Sequence, residues 1–215
     1  MNFKKLFFVS AIALSSTLVF AQEPGSSFGR IYGGVAFMKE KEADSDTDAD
    51  KGFQLGIARY IHLTGNQSAL YLQLGAEFNR VTYSETVEGI KAKETLANIA
   101  IPINFVSRFN LENDMALEFL AGPNIRLNTV GKLKMSNSYD SATLDFFDDL
   151  EAHRFQFGLN VGVGLSFSRI SIAYRFNPDL TDYFDKDALE DKSGEDLEGM
   201  SSKSLYHFIT LGFSF

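Results

Sequence analysis

Hydrophobic and polar positions alternate with a period of two over most of the chain, most clearly from His153 to Phe176. Phe155, Phe157, Leu159, Val161, Val163, Leu165 and Phe167 share one parity. Arg154, Gln156, Gly158, Asn160, Gly162, Gly164 and Ser166 share the other. After a reversal at Ser168-Arg169, Ile170, Ile172, Tyr174 and Phe176 oppose Ser171, Ala173, Arg175 and Asn177. Side chains of a β-strand point alternately to opposite faces, so this stretch predicts a hairpin with one apolar and one polar face. A polar face in water usually carries Lys, Glu and Thr. This one carries Gly, Asn, Gln and Arg, which are small or hydrogen-bonding. The apolar face runs on for about ten residues, the length a tilted strand needs to cross a bilayer. The pattern therefore predicts a lipid-facing outside and a polar inside.

The same alternation predicts six further strands: Phe28 to Met38, Gly52 to Leu63, Leu70 to about Asn79, Leu96 to Ser107, Met115 to Leu127 and Leu205 to Phe215. Pro102 has no N–H for a ladder and predicts a bulge or kink in the fourth strand. The connections alternate long and short, beginning with Lys39 to Lys51 and the compact Thr64-Gly65-Asn66-Gln67 turn. The stretches up to about Glu94, from Asn128 to Glu151 and from Asn177 to Ser202 are expected to be loops. Outer-membrane barrels show this asymmetry, with short periplasmic turns and long outward loops. The expected fold is all-β: an eight-stranded antiparallel up-and-down transmembrane β-barrel. A soluble up-and-down barrel such as a lipocalin would be apolar inside and wet outside. It would want Lys and Glu on the polar faces, and it gives no reason for the terminal Phe215.

Charge placement agrees with a membrane. Beyond the first few residues, Lys39, Lys41, Lys51, Lys91, Lys93, Lys132, Lys134, Lys186, Lys192 and Lys203 all fall in expected loops or at strand ends. A lipid-facing lysine at the midplane costs about 2–4 kcal/mol, and the pattern avoids it. Met1 to Ala21 has Lys4 and Lys5 before the apolar run Leu6 to Phe20, the layout of a secretory signal peptide cut before Gln22. Residues 22–215 then form one barrel domain, exported through the periplasm to the bacterial outer membrane. No apolar run near 18 residues follows. The mean hydropathy of −0.08 fits lipid-facing residues averaged with lumen-facing ones. The chain has no cysteine, which rules out thiol chemistry. Its net charge of −8 argues against nucleic acid as a partner.

Three segments resemble the eight-stranded outer membrane protein beta-barrel family common in Bacteroidetes-type bacteria, often labelled porin-family or PorT-family. Asn98 to Phe105, NIAIPINF, is similar to its fourth strand with an Ile-Pro pair. Leu117 to Leu127, LEFLAGPNIRL, carries the Ala-Gly-Pro of its fifth. Phe155 to Phe176 resembles its Gly-rich sixth strand, tight turn and seventh strand. The family commonly continues Tyr-x-x-Gly-Leu-Thr, whereas here Asp179 stands in place of the Gly before Leu180-Thr181. The resemblance implies an outer-membrane location and supplies no catalytic residues.

Alternation places Arg30, Glu77, Glu118, Arg126, Arg154 and Arg175 in the lumen. An eight-stranded barrel is only wide enough to be filled by its own side chains, so these charges are expected to pair as a structural network. Neither a cofactor nor a metal is expected. Asp44, Asp46, Asp48 and Asp50 alternate in the first loop but lack the Gly and Glu of a calcium loop. They and the acidic stretch Asp179 to Glu198 suit weak divalent-cation contact with lipopolysaccharide phosphates. His62, His153 and His207 do not share a face, so nothing pairs a base with a nucleophile. Gly162-x-Gly164 is not followed by a helix and is no phosphate loop. Ile209, Leu211, Phe213 and Phe215 face outward in the last strand and resemble the terminal signal read by barrel assembly machinery. The expectation is a monomeric, non-enzymatic barrel contacting outer-membrane lipid, lipopolysaccharide or a partner through acidic exterior loops. The alternatives are a narrow channel for small solutes and a barrel hydrolase acting on lipid or peptide.

Overall fold

The computed structural model describes residues 26–40, 50–64, 68–87, 90–136, 140–149, 152–184 and 203–215. The expected signal peptide, Asp44, Asp46, Asp48 and most of the second acidic stretch lie outside the described residues. Among the described residues nine strands form: β1 (Phe28–Glu40), β2 (Asp50–Thr64), β3 (Ser68–Val87), β4 (Ile90–Asn110), β5 (Met115–Ser136), β6 (Ser141–Asp145), β7 (Phe155–Phe167), β8 (Ile170–Pro178) and β9 (Ser204–Ser214). The sheet order β4-β3-β2-β1-β9-β8-β7-β5, with β4 also paired to β5, closes a ring of eight antiparallel strands. β6 adds to β5 outside that ring. Closure leaves the ring no free edge, which is the condition for a sheet to survive in hydrocarbon.

Polarity is inverted relative to a soluble protein. Leu211 exposes 63% of its surface and Phe167 58%, while Gln54, Asn104, Gln156 and Asn160 expose 0%. β7 alternates exposed and buried for most of its length, as its sequence predicts. On the outer face, Phe105, Phe109, Phe119 and Phe167 gather toward one end, and Phe37, Tyr174, Phe176 and His207 toward the other. Two such aromatic bands flank the apolar girdle of membrane barrels.

The short connections lie together at one end. Asn113 (φ 59°), Asp114 (φ 58°) and Ser168 (φ 51°) take the left-handed backbone that tight reversals require. The turns are tied to one another: Ser168 N donates to Asp114 O at 3.0 Å, and Ser214 N to Arg169 O at 2.7 Å. The chain ends beside its first strand, with Gly29 N donating to Phe215 O and Phe215 N to Gly29 O, each at 2.9 Å. The Phe215 ring leans over Gly29, where a Cβ would meet it at 2.4 Å.

The long-loop end departs from the sequence expectation. β3, β4 and β5 have 20, 21 and 22 residues, about twice a membrane span. The stretches expected as loops up to Glu94 and after Asn128 are largely ladder, with register running from Val81↔Leu96 to Val87↔Ile90 and from Leu96↔Gly131 to Lys91↔Ser136. Lys91, Lys93, Lys132 and Lys134 therefore stand in strands. Pairing satisfies the backbone even where the outward residues are polar, because these rungs lie beyond the lipid. Pro102 produces no register shift. Its pairing with β3 lapses and resumes unshifted between Leu74↔Ile103 and Glu77↔Ala100. The bulge in this region is at Thr129, opposite Ala97/Asn98. Thr129 Oγ1 fastens it by donating to Ala97 O at 3.0 Å.

Candidate functional site

The interior is a column of three paired carboxylates, Glu118, Glu77 and Asp179, separated by aromatic rings and amides; Glu118 has a second arginine, Arg108, at 3.9 Å. At the turn end, Arg30 on β1 faces Glu118 on β5 across the barrel. Arg30 Nη1 donates to Glu118 Oε2 at 2.7 Å and Nη2 to Oε1 at 2.9 Å. Arg30 also donates to Ser214 Oγ at 3.0 Å and Tyr60 OH at 3.2 Å. Two parallel N–H···O bonds fix a guanidinium in angle as well as distance. The cation sits 4.8 Å from the Tyr60 ring centroid, and Phe28 stacks on Tyr60 at 4.5 Å. Gly212 makes the space, since a Cβ there would lie 2.6 Å from Ser171 Oγ and 3.0 Å from Arg30 Cδ.

The middle pair is Glu77 on β3 with Arg175 on β8, and Arg175 also donates to Gln54. Tyr32 OH donates to Glu77 Oε1 at 2.6 Å and Gln54 Nε2 to Glu77 Oε2 at 3.0 Å. The carboxylate thus has acceptor bonds on both oxygens, the condition for burying a charge. The Tyr32 ring lies across Gly56, where a Cβ would approach its Cε2 to 2.4 Å. Amides carry the network sideways. Gln54 Nε2 donates to Asn79 Oδ1 at 2.7 Å, and Asn79 Nδ2 to Asn98 Oδ1 at 2.9 Å. Asn104 Nδ2 donates to Gln73 Oε1 at 2.8 Å, and Asn160 Nδ2 to Asn104 Oδ1 at 3.2 Å.

Toward the long-loop end, Arg126 on β5 pairs with Asp179, just past β8, at 2.6 Å, and lies 4.4 Å from the Tyr206 ring centroid. The Asp179 side chain is buried, and its backbone N–H donates to Ser204 O at 3.0 Å. Above it, Phe146 from the turn after β6 meets Tyr183 at 6.1 Å and Phe184 at 5.7 Å, edge to face. Burial drives the Tyr183 phenol well above its ordinary range. These rings join Leu96, Val81, Tyr206 and Phe208 in one apolar cap over the column. Between the lower two pairs a cavity of about 20 Å³ remains, lined by Arg30, Tyr60, Glu118 and Arg175 among others. That holds about one water molecule.

The structure thus puts Arg30, Glu77, Glu118, Arg126 and Arg175 inside and brings two of the expected charges together in each lower pair. Arg154 is not in the lumen. It lies before β7 begins, with its side chain 52% exposed, 3.9 Å from Asp148 and over the Phe147 ring. Alternation assigns faces only where a ladder holds the chain extended, and at Arg154 that ladder has ended. Asp179 and Arg108, the latter 3.9 Å from Glu118, are partners that the sequence reading did not place inside. Continuing the parity of Arg175 and Asn177 by one step finds Asp179, and continuing that of Asn104 and Val106 finds Arg108. His62 packs edge-on to Tyr71 near the turns, His153 is exposed, and His207 Nδ1 lies 2.7 Å from Tyr174 OH on the outer face. The three are held apart by the fold. Ile209, Leu211 and Phe213 expose their side chains outward in β9.

An outward apolar girdle, a closed antiparallel ring and a polar, ion-paired interior define an integral outer-membrane β-barrel protein. The chain belongs to the outer membrane protein beta-barrel domain family, whose model matches residues 20–185. Its place is the bacterial outer membrane. Similar solved structures include Ail, the attachment invasion locus protein of Yersinia pestis, at 17% identity and TM-score 0.44, covering 90% of this chain and 100% of that one. Neisserial surface protein A is similar at 10% identity and TM-score 0.44, covering 88% of this chain and 97% of that one. The outer membrane enzyme PagL is similar at 11% identity and TM-score 0.47, covering 87% and 99%. No curated protein matches the chain.

Proposed function

We propose that this chain is a monomeric, non-enzymatic outer-membrane barrel whose lumen is a side-chain plug and whose long-loop end faces the cell exterior. The supporting observation is the continuous column from Arg30–Glu118 through Glu77–Arg175 to Arg126–Asp179, capped by Phe146 and Tyr183. Opening a solute path would strand at least one buried charge, which is strongly unfavourable. The wide separation of the three histidines supports a non-enzymatic role. The grouping of short turns at one end supports a periplasmic turn end. In this reading residues 1–21 direct export, and Ile209, Leu211, Phe213 and Phe215 engage barrel assembly machinery. NIAIPINF and the Ala-Gly-Pro of β5 favour the Bacteroidetes-type branch. The exterior end contacts the envelope surface, lipopolysaccharide or a partner, and its acidic loops engage divalent cations weakly. Calcium titration that leaves loop mobility and melting unchanged would count against that last element.

Purified protein in a planar bilayer tests the plug. The expected trace has no stable openings, and unitary currents would establish the channel reading instead. Hydrolysis of lipid A or peptide, lost on replacing a histidine, would establish the enzyme reading.

A further inference from the structure

Above the membrane, the register sets residues of β3, β4 and β5 in rows. The last apolar outward row is Phe78–Ile99–Leu127. The rows above it read Arg80–Ala97–Val130, Thr82–Thr95–Lys132, Ser84–Lys93–Lys134 and Lys91–Ser136. The intervening rows hold Val81, Leu96 and Leu133, which pack into the cap, so the lysine rows face outward. Arg80, Lys91, Lys93, Lys132 and Lys134 are all exposed, and none forms an ion pair among the described residues. Asp145 is opposite Lys132 in register, but its Oδ1 accepts from Phe147 N at 3.0 Å instead. Lys93 and Lys134 are direct cross-strand neighbours, a like-charge contact that destabilises a ladder unless an anion bridges it.

We propose that this face binds the phosphorylated saccharide headgroup of lipopolysaccharide in the surrounding outer leaflet, by direct lysine–phosphate contact. The inference rests on the outer-membrane reading above and names the partner of its exterior end. Height and chemistry carry it. At about 3.3 Å per residue and a tilt near 40°, Lys132 stands roughly 10 Å and Lys93 roughly 15 Å beyond the Leu127–Ile99 row along the membrane normal. That is beyond the hydrocarbon and the height to which only a saccharide-bearing headgroup extends, since ordinary headgroups add about 5–7 Å per leaflet. Five cations concentrated there, in a chain of net charge −8, make this strand face suited to anions. The hydroxyls of Thr82, Thr95 and Ser84 lie between the cations and supply neutral donors to the same oxygens.

The test uses the full mature chain folded in detergent, with EDTA present, and measures binding of lipopolysaccharide. Wild type is expected to bind, more weakly as salt rises. K91Q/K93Q/K132Q/K134Q is expected to bind several hundredfold to about a thousandfold more weakly. The matching Lys→Arg variant is expected to keep binding, and both are expected to keep the heat-dependent gel shift of a closed barrel. Undiminished binding by the Gln variant would overturn the proposal, as would loss by the Arg variant while it keeps the gel shift. Abolition of wild-type binding by EDTA would overturn it in favour of cation bridging through the acidic loops. Equal binding of dephosphorylated lipopolysaccharide, of phosphatidylglycerol vesicles or of inorganic phosphate would overturn the assigned headgroup. The gel shift and the conductance trace judge the plugged barrel separately from this binding.

Discussion

At the scale of single residues, the interior works by matching a large side chain to a missing one. Tyr32 reaches Glu77 only because Gly56 carries no Cβ. Gly56→Ala is expected to push the ring aside, lengthen that 2.6 Å bond and cost about 1–3 kcal/mol. Urea titration of the folded barrel in micelles measures this. Arg175→Met leaves the Glu77 carboxylate buried with only Tyr32 and Gln54 for partners. Removing one member of a buried pair costs about 3–5 kcal/mol, and the same titration should show it. Adding Glu77→Gln to Arg175→Met should recover part of that loss, because no unpaired charge then remains.

At the scale of elements, the strands divide into a part governed by lipid and a part governed by pairing. Within the apolar girdle, period two and residue type agree, so each strand core is legible from composition alone. Beyond Phe78, Ile99 and Leu127 the outward residues become Arg, Thr, Ser and Lys, which read as loop. Their strand character comes from ladder bonds to neighbours far away in sequence. Joining Tyr83 to Glu94 with a short Asn-Gly turn removes those upper rungs. The shortened protein is expected to keep its closed ring and its heat-dependent gel shift, since the lipid-facing rows are untouched. Ser168 illustrates the opposite case of a local requirement. Its φ of 51° suits glycine better than any residue with a Cβ. Ser168→Gly is expected to leave stability unchanged or slightly raised, and Ser168→Val to lower it, by the same urea titration.

At the scale of the whole molecule, the plug makes the barrel rigid across its width. β1 is bonded to β5, and β3 to β8, through side chains as well as through their neighbours in the ring. Two bridges across a closed cylinder predict high resistance to SDS before heating. Unboiled protein is therefore expected to migrate ahead of boiled protein on a gel. A variant lacking both Arg30 and Arg175 should lose that difference at a lower temperature than wild type. Asp179 belongs to this scale too. It departs from the glycine that its family-like segment commonly carries, and it closes the long-loop end by pairing with Arg126 on β5.

The sequence by itself determined the ring of strands and its polarity, because the bilayer imposes one rule at every second position. It also determined which charges point inward wherever that rule holds. Partners were decided only by the tertiary structure: which arginine meets which carboxylate depends on stagger around the ring. The same holds for the exposed place of Arg154, the bulge at Thr129 and the lysine rows above the membrane. Each depends on where one strand's ladder ends or slips against another, and no local run of residues encodes that.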